Sequence, residues 1–376
     1  MTADAGLYVH LPFCRSRCGY CAFVVTTDDS VREAYLSALE QESRIAGGEA
    51  RGSSFDTIYL GGGTPSWLPP EGIVRLLDAL HRDFAVEIDA EITLEANPDD
   101  VLSERVVSWK AAGATRVSLG VQSFQDRELA AVGRRHDAAD AARALDLLLR
   151  SDLRVSGDLI LGLPEQTAES FRESAARLAG SGAGHVSVYL LETEKSRTIE
   201  EDRSRHPDRY LNDDAQADLW LELSEMLGRR GFQHYEISNW CREGEEARHN
   251  LKYWTRHPTL GLGVSAHELW DERRRANVSA IPAYLAALGE GRRPTALDQP
   301  IDPQEQAREK IVLGLRLAEG VEAGRIEGWV QSCGDPALAR DLAAWEESAI
   351  LEHRDGKIRF TERGFLVSNE VLCRFV

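Results

Sequence analysis

"CRSRCGYCAF", residues 14–23, places three cysteines within eight positions, three residues and then two residues apart, with no fourth following. A closed zinc site or a fully ligated iron-sulfur cluster takes four protein ligands. Three leave one position to a distant residue or to an outside molecule. Cys241, Cys333 and Cys373 stand alone in the chain and read as small buried hydrophobes. Six cysteines in 376 residues do not make a disulfide framework.

Working outward, the thiol loop follows a short apolar run at 7–11. Comparable β-rich runs recur at 57–60, 90–95, 116–121, 155–161 and His185–Leu190, and helical periodicity fills the intervals at 31–45, 71–84, 102–112, Ala138–Leu149 and Ala168–Ala179. Strand-helix units repeated at this spacing build a parallel sheet, open or curled, whose ligands collect at the C-terminal strand ends. The strand ends here read LPFC, LGGGTPS, EANPDD, GVQSF, LILGLP and YLLE. After Gly231 the pattern breaks into FQHYEISNW, RHNLKYW and GLGVSAHE, expected as an irregular layer closing one side. Helical segments return at 305–317 and 338–351, and HRDGKIRFTERG carries an Asp355-Gly356 hairpin signal. The expected division is therefore 1–279 for the α/β domain and 280–376 for a small helical domain with a β-hairpin wing.

Composition is that of an ordinary soluble chain, 43% apolar and 28% charged. No apolar run reaches the roughly 18 residues of a membrane span, and the N-terminus lacks the basic head of a signal peptide, so a cytoplasmic protein with no integral membrane segment is expected. A net charge of −18 argues against nonspecific nucleic-acid binding. Arg134-Arg135 and the run at 272–275 read as solvated surface.

The stretches YVHLPFCRSRCGYCAF, YLGGGTPS, EANPDD, RVSLGVQSFQD, DLILGLPEQT, HYEISNW and HNLKYW extend over residues 8 to 267, with LGLRLAEGV and GFLVSNEVL further on. Together they resemble the radical S-adenosylmethionine (SAM) proteins, in the branch that holds oxygen-independent coproporphyrinogen III dehydrogenase and the HemW-type heme chaperones. The resemblance implies an α/β fold of the parallel (β/α)6 partial TIM-barrel type. It also implies a 4Fe-4S cluster on Cys14, Cys18 and Cys21, with one iron left open to SAM. Tyr8, Tyr20, Gly62, Gly63, Thr64, Glu95, Gln122, Arg134 and Asp158 are the SAM contacts it carries over. On those terms Gly61, Gly62 and Gly63 let the backbone approach the ligand, Glu95 accepts from an ammonium or hydroxyl, and Arg134 pairs with a carboxylate.

His249-Asn250-Leu251-Lys252-Tyr253-Trp254 matches the branch's HNxxYW motif, which implies His249 as an axial heme ligand, with His234 and His267 as weaker candidates. Within the branch the resemblance favours the heme chaperone. Phe23 stands where the dehydrogenase pattern has a further cysteine, and Cys14 lies close to the start. Heme, a recipient hemoprotein and a second copy in a homodimer are the implied partners. The alternatives are the dehydrogenase itself or another radical enzyme acting on a tetrapyrrole, and a zinc-stabilised barrel with His10 as fourth ligand.

Overall fold

The computed structural model describes residues 4–376. Six strands run parallel and in chain order: β1 (Ala5–Leu11), β2 (Ser54–Gly62), β3 (Ala85–Ala96), β4 (Arg116–Gln122), β5 (Arg154–Leu161) and β6 (His185–Leu190). Helices Arg32–Glu49, Pro70–Asp83, Ser103–Ala111, Ala138–Leu149, Ala168–Ala179 and Asp213–Arg229 follow the six strands in turn. The result is the expected (β/α)6 partial barrel, open and not closed on itself.

Strand alternation explains the curl. One parity is aliphatic, as in Leu7, Val9 and Leu11 on β1 or Val117, Leu119 and Val121 on β4, and packs with the helices into one core. The other parity is polar or aromatic: Tyr8 and His10, Tyr59, Thr93 and Glu95, Ser118, Ser156 and Asp158, Ser187. A parallel sheet covered by helices on both faces is aliphatic on both. Here only the outer face is covered, and the polar parity lines a lumen.

Residues 231–300 depart from the expected irregular layer. They lengthen the sheet to twelve strands. β7 (Gln233–Glu236) and β8 (Asn239–Cys241) form a hairpin whose β8 pairs antiparallel with β6. β9 (Thr259–Leu262) lies parallel to β1 on its other side, and β10 (His267–Trp270), β11 (Arg273–Asn277) and β12 (Thr295–Pro300) continue antiparallel beyond it. Most of these strands span three to five residues, too few for alternation to declare itself in sequence.

A second core gathers Ile311, Leu315, Ile326, Leu338, Phe360 and Phe365. Helices Pro303–Gly314, Ala323–Cys333 and Pro336–Glu347 enclose it with a small sheet of β13 (Val321–Glu322), β14 (Leu351–Arg354) and β15 (Lys357–Phe360). The β14–β15 hairpin turns at Asp355 and Gly356 with φ of 51° and 80°, the left-handed pair that a two-residue loop requires. Tyr284 and Leu288 pack in the first core, and β12 pairs with β11.

Cys241 is buried as expected, but Cys333 and Cys373 are exposed. The basic run is consumed locally: Arg273 pairs with Asp298, Arg274 with Glu305 and Arg275 with Glu268. No described helix is long and apolar enough to cross a membrane.

Candidate functional site

The thiol loop leaves β1 at its C-terminal end and is clipped at its base. Phe13 bridges Thr26, the Cys14 N–H donates to the Thr26 carbonyl at 2.9 Å, and the Thr26 N–H donates to the Pro12 carbonyl at 2.7 Å. The glycine turn at the end of β2 is bound to this base, since the N–H groups of Gly63 and Thr64 donate to the carbonyls of Leu11 and Phe13, each at 2.8 Å. A Cβ on Gly63 would stand 2.7 Å from the Leu11 oxygen, and one on Gly62, whose φ is 104°, 2.5 Å from the His10 ring. The missing side chains thus make room for the protein's own loop and histidine. Read as sequence, that room belonged to a ligand.

Two of the three thiols are reached by polar side chains from the neighbouring strand ends. The Thr64 hydroxyl lies 3.4 Å from the Cys14 sulfur. The Asn97 amide donates to Thr64 Oγ1 at 3.3 Å and accepts from Arg134 Nη2 at 2.7 Å. Arg134 also donates to the Gly120 carbonyl at 2.8 Å, while its Nη1 faces the Cys18 sulfur at 3.7 Å and the Tyr20 hydroxyl at 3.4 Å. Its Nε is buried without a partner. Asn97 escaped the sequence reading, although it stands inside EANPDD, immediately before the proline that ends β3. Burial pushes the Cys14 thiol up to about 11 and raises Cys21, and the charge of the neighbouring thiols adds to both rises.

Beside this loop, Glu95 accepts from the Tyr59 hydroxyl at 2.8 Å and from the Gly62 N–H at 3.0 Å. Burial pushes its carboxyl up to about 7, against those hydrogen bonds, and the charge of Asp158 adds to the rise. Asp158 is raised by burial and accepts from Ser118 at 2.9 Å and Ser156 at 3.3 Å. Gln122 ends β4 with φ of 65°, where the ladder to β5 slips. A non-glycine residue held in that region stores strain of about 1–3 kcal/mol, and such strain collects at functional rims. The Tyr8 hydroxyl is 3.1 Å from His10 Nδ1, and His10 Nε2 is 2.8 Å from the Val24 carbonyl. The carbonyl only accepts, so Nε2 carries the proton and Nδ1 accepts from Tyr8. Neither nitrogen is left for zinc.

His249 lies elsewhere. Helix Arg248–Trp254 crosses the N-terminal end of the barrel and floors the lumen. The His249 N–H donates to Glu91 at 3.1 Å, Nδ1 is 2.9 Å from the Thr57 hydroxyl, and Nε2 is 2.9 Å from the Tyr253 hydroxyl. Tyr59 stacks on the ring, centroids 5.2 Å apart. Burial, with Lys252 nearby, pushes the imidazole down to about 3, so it is neutral. Glu91 and Glu95 are four residues apart on β3, ~13 Å at ~3.3 Å per strand residue, and Tyr59, stacked on the His249 ring and donating to Glu95, spans the interval between them. Tyr8, Tyr20, Gly62, Gly63, Thr64, Glu95, Gln122, Arg134 and Asp158 are gathered toward the mouth, and His249 lies beneath them, joined to Tyr8 and Glu95 through Tyr59. His234 is stacked on Trp240 at 4.3 Å and His267 is exposed at the start of β10.

An open (β/α)6 barrel with three free thiols on the loop after β1 and a glycine turn after β2 defines the fold and site of a radical SAM protein. The chain matches the model of the radical SAM superfamily over residues 8–178 and that of the HemN C-terminal domain over residues 301–367. It is 32% identical over 372 residues to heme chaperone HemW of Mycobacterium tuberculosis, covering 98% of this chain and 93% of that one. To heme chaperone HemW of Bacillus subtilis it is 31% identical over 375 residues, 98% of each. Its structure is similar to coproporphyrinogen III oxidase (HemN) from Escherichia coli, a radical SAM enzyme, with a TM-score of 0.85 over 100% of this chain and 90% of that one. At 22% identity that likeness is one of fold. Within the radical SAM superfamily, the chain belongs to the HemW-type heme chaperone family.

Proposed function

We propose that this protein binds heme and delivers it to a hemoprotein, and that it holds a 4Fe-4S cluster on Cys14, Cys18 and Cys21 and SAM at the barrel mouth. The observation that carries the chaperone reading is the similarity to heme chaperones across 98% of the chain. The thiols fit the cluster: a buried thiol pushed up to about 11 ionises only beside a cation, which iron provides. When bound, the cluster supplies one-electron reduction and an iron open to an outside chelator. Glu95, with its carboxyl pushed up to about 7, fits an ammonium that would return it to the charged form. Arg134, with its orphaned Nε, fits a carboxylate. Tyr8, Tyr20, Gly62, Gly63, Thr64, Gln122 and Asp158 complete the proposed SAM contacts.

The lumen argues against a tetrapyrrole with four propionates as its substrate. Above the floor its strand positions offer the carboxyls of Glu95 and Asp158, while Arg116 is committed to Glu91 and Arg134 is taken by the carboxylate proposed for SAM. Such a substrate calls for several free cations.

In this reading His249 ligates heme iron through Nε2, which requires the Tyr253 hydroxyl to release it. Heme titration of the anaerobically reconstituted protein tests both parts. Tyr253→Phe uncaps the imidazole and is expected to tighten heme binding, whereas His249→Ala weakens it and shifts the Soret band. Unchanged titrations in both variants remove His249 as ligand. Conversion of coproporphyrinogen III to protoporphyrinogen with SAM and a reductant in the same preparation would replace the chaperone reading with an enzymatic one.

A further inference from the structure

The side chains between the strand ends and the thiol loop form one directional chain of hydrogen bonds, and its direction can be deduced. Arginine only donates, so the Asn97 oxygen faces Arg134 and its NH2 group faces Thr64. Thr64 Oγ1 is then an acceptor toward Asn97. Its single proton points to the Cys14 sulfur, 3.4 Å away, once that sulfur is a ligating thiolate and can only accept. The same Arg134 presents Nη1 to Cys18 at 3.7 Å. Asn97 is itself fixed, because its N–H donates to Ser66 Oγ at 3.1 Å and Ser66 donates to Asp100 at 3.0 Å. Asp100 pairs at 2.9 Å with Arg15, which follows Cys14 in the thiol loop.

We propose that Asn97 is a positioning residue for the cluster: it aims the Thr64 proton at the Cys14 sulfur and holds Arg134 over Cys18, so that both sulfurs receive a hydrogen bond through one amide. Hydrogen bonds to cluster sulfurs stabilise the more negative, reduced state and raise the reduction potential. The inference rests on the reading that Cys14, Cys18 and Cys21 hold a cluster. Its content is the polarity of the relay, which an isosteric change reverses. In Asn97→Asp both side-chain oxygens accept, Arg134 stays paired, and the Thr64 hydroxyl turns from the sulfur to the new carboxylate.

The test is a redox titration followed by electron paramagnetic resonance on full-length, anaerobically reconstituted protein, with iron and acid-labile sulfide measured on each sample. Asn97→Asp and Thr64→Val are both expected to lower the midpoint, each by about 59 mV, which is tenfold in a one-electron equilibrium. Thr64→Ser keeps the hydroxyl and the wild-type midpoint. Asn97→Asp shifts the midpoint less on the Thr64→Val background than alone, because the bond it diverts is already gone. Equal shifts on both backgrounds, or a Thr64→Val midpoint at the wild-type value, overturn the relay. If Asn97→Asp does not retain its cluster, the Thr64→Val and Thr64→Ser pair decides. Wild-type protein without acid-labile sulfide overturns the cluster reading and this inference with it, whereas replete clusters with unmoved midpoints overturn the relay alone.

Discussion

Glu95 is a carboxyl at odds with its surroundings. Two donors hold it in place, yet burial keeps its proton on up to about pH 7. A group arranged this way gains when a cation arrives, and it destabilises the fold when ionised without one. Glu95→Gln keeps the shape and removes the charge. The variant is expected to bind SAM about ten- to hundredfold more weakly, the loss of one hydrogen bond to a charged group. At pH 8 and without ligand it is expected to unfold at higher urea than wild type. Isothermal titration and urea unfolding check the two halves, and wild-type SAM affinity in the variant would remove Glu95 from the site. The glycines show the same economy. Gly63 is bare because the backbone of the thiol loop passes within 2.8 Å of where a Cβ would be.

At the scale of elements, helix Arg248–Trp254 converts an open barrel into a floored one. It is tied directly to β2 and β3 by buried polar groups, and the segment before it is tied to β4 through Arg116. Glu91 accepts from the His249 N–H and pairs with Arg116 at 3.2 Å, and Arg116 Nη2 reaches the carbonyls of Glu245 and Glu246 at 2.8 and 2.9 Å. Lys252 and Arg248 both pair with Asp56, and His185 joins Ser156 to Tyr235. Arg116 and Glu91 are 1% and 2% exposed in their side chains, so breaking the pair leaves an uncompensated charge in the interior. Glu91→Gln is therefore expected to cost about 3–5 kcal/mol in urea unfolding. A loss under about 0.5 kcal/mol, the ordinary surface value, would show that the floor does not depend on that pair.

For the whole molecule, the two cores meet where β7 ends. Glu236 bridges Leu317, the Ile237 N–H donates to the Arg316 carbonyl at 2.9 Å, and the Ala318 N–H donates to the Tyr235 carbonyl at 3.0 Å. The Glu236 carboxyl at this junction is pushed up to about 7 by burial, and its Oε1 has no partner. A raised carboxyl binds its proton more tightly folded than unfolded. Its contribution is therefore complete below the unfolded value of about 4.3 and is lost as pH rises to about 7. Glu236→Gln removes that loss, which amounts to no more than about 4 kcal/mol. Thermal unfolding at pH 5 and pH 8 is expected to show a smaller drop in the variant than in wild type. Parallel profiles would place the pH sensitivity elsewhere.

Much of this was legible in the chain because it is local. The helices Ala138–Leu149 and Ala168–Ala179 begin where Asp137 and Thr167 cap them with reciprocal bonds to the third residue, and their bounds could be read to the residue. The six parallel strands, the three thiols and the Asp355-Gly356 turn carry their own short-range signals. The floor helix, the short edge strands and the ties on Asn97 and His249 do not, since each depends on groups brought together from distant parts of the chain. Sequence by itself determined the strand-helix order, because backbone periodicity and turn chemistry act over a few residues, and its motifs named the residues of the mouth through their resemblance to the radical SAM proteins. Only the tertiary structure decided which side chains of that mouth bond to one another, and that His249 is a buried part of the floor, because hydrogen-bond pairing and burial exist only once the sheet has curled.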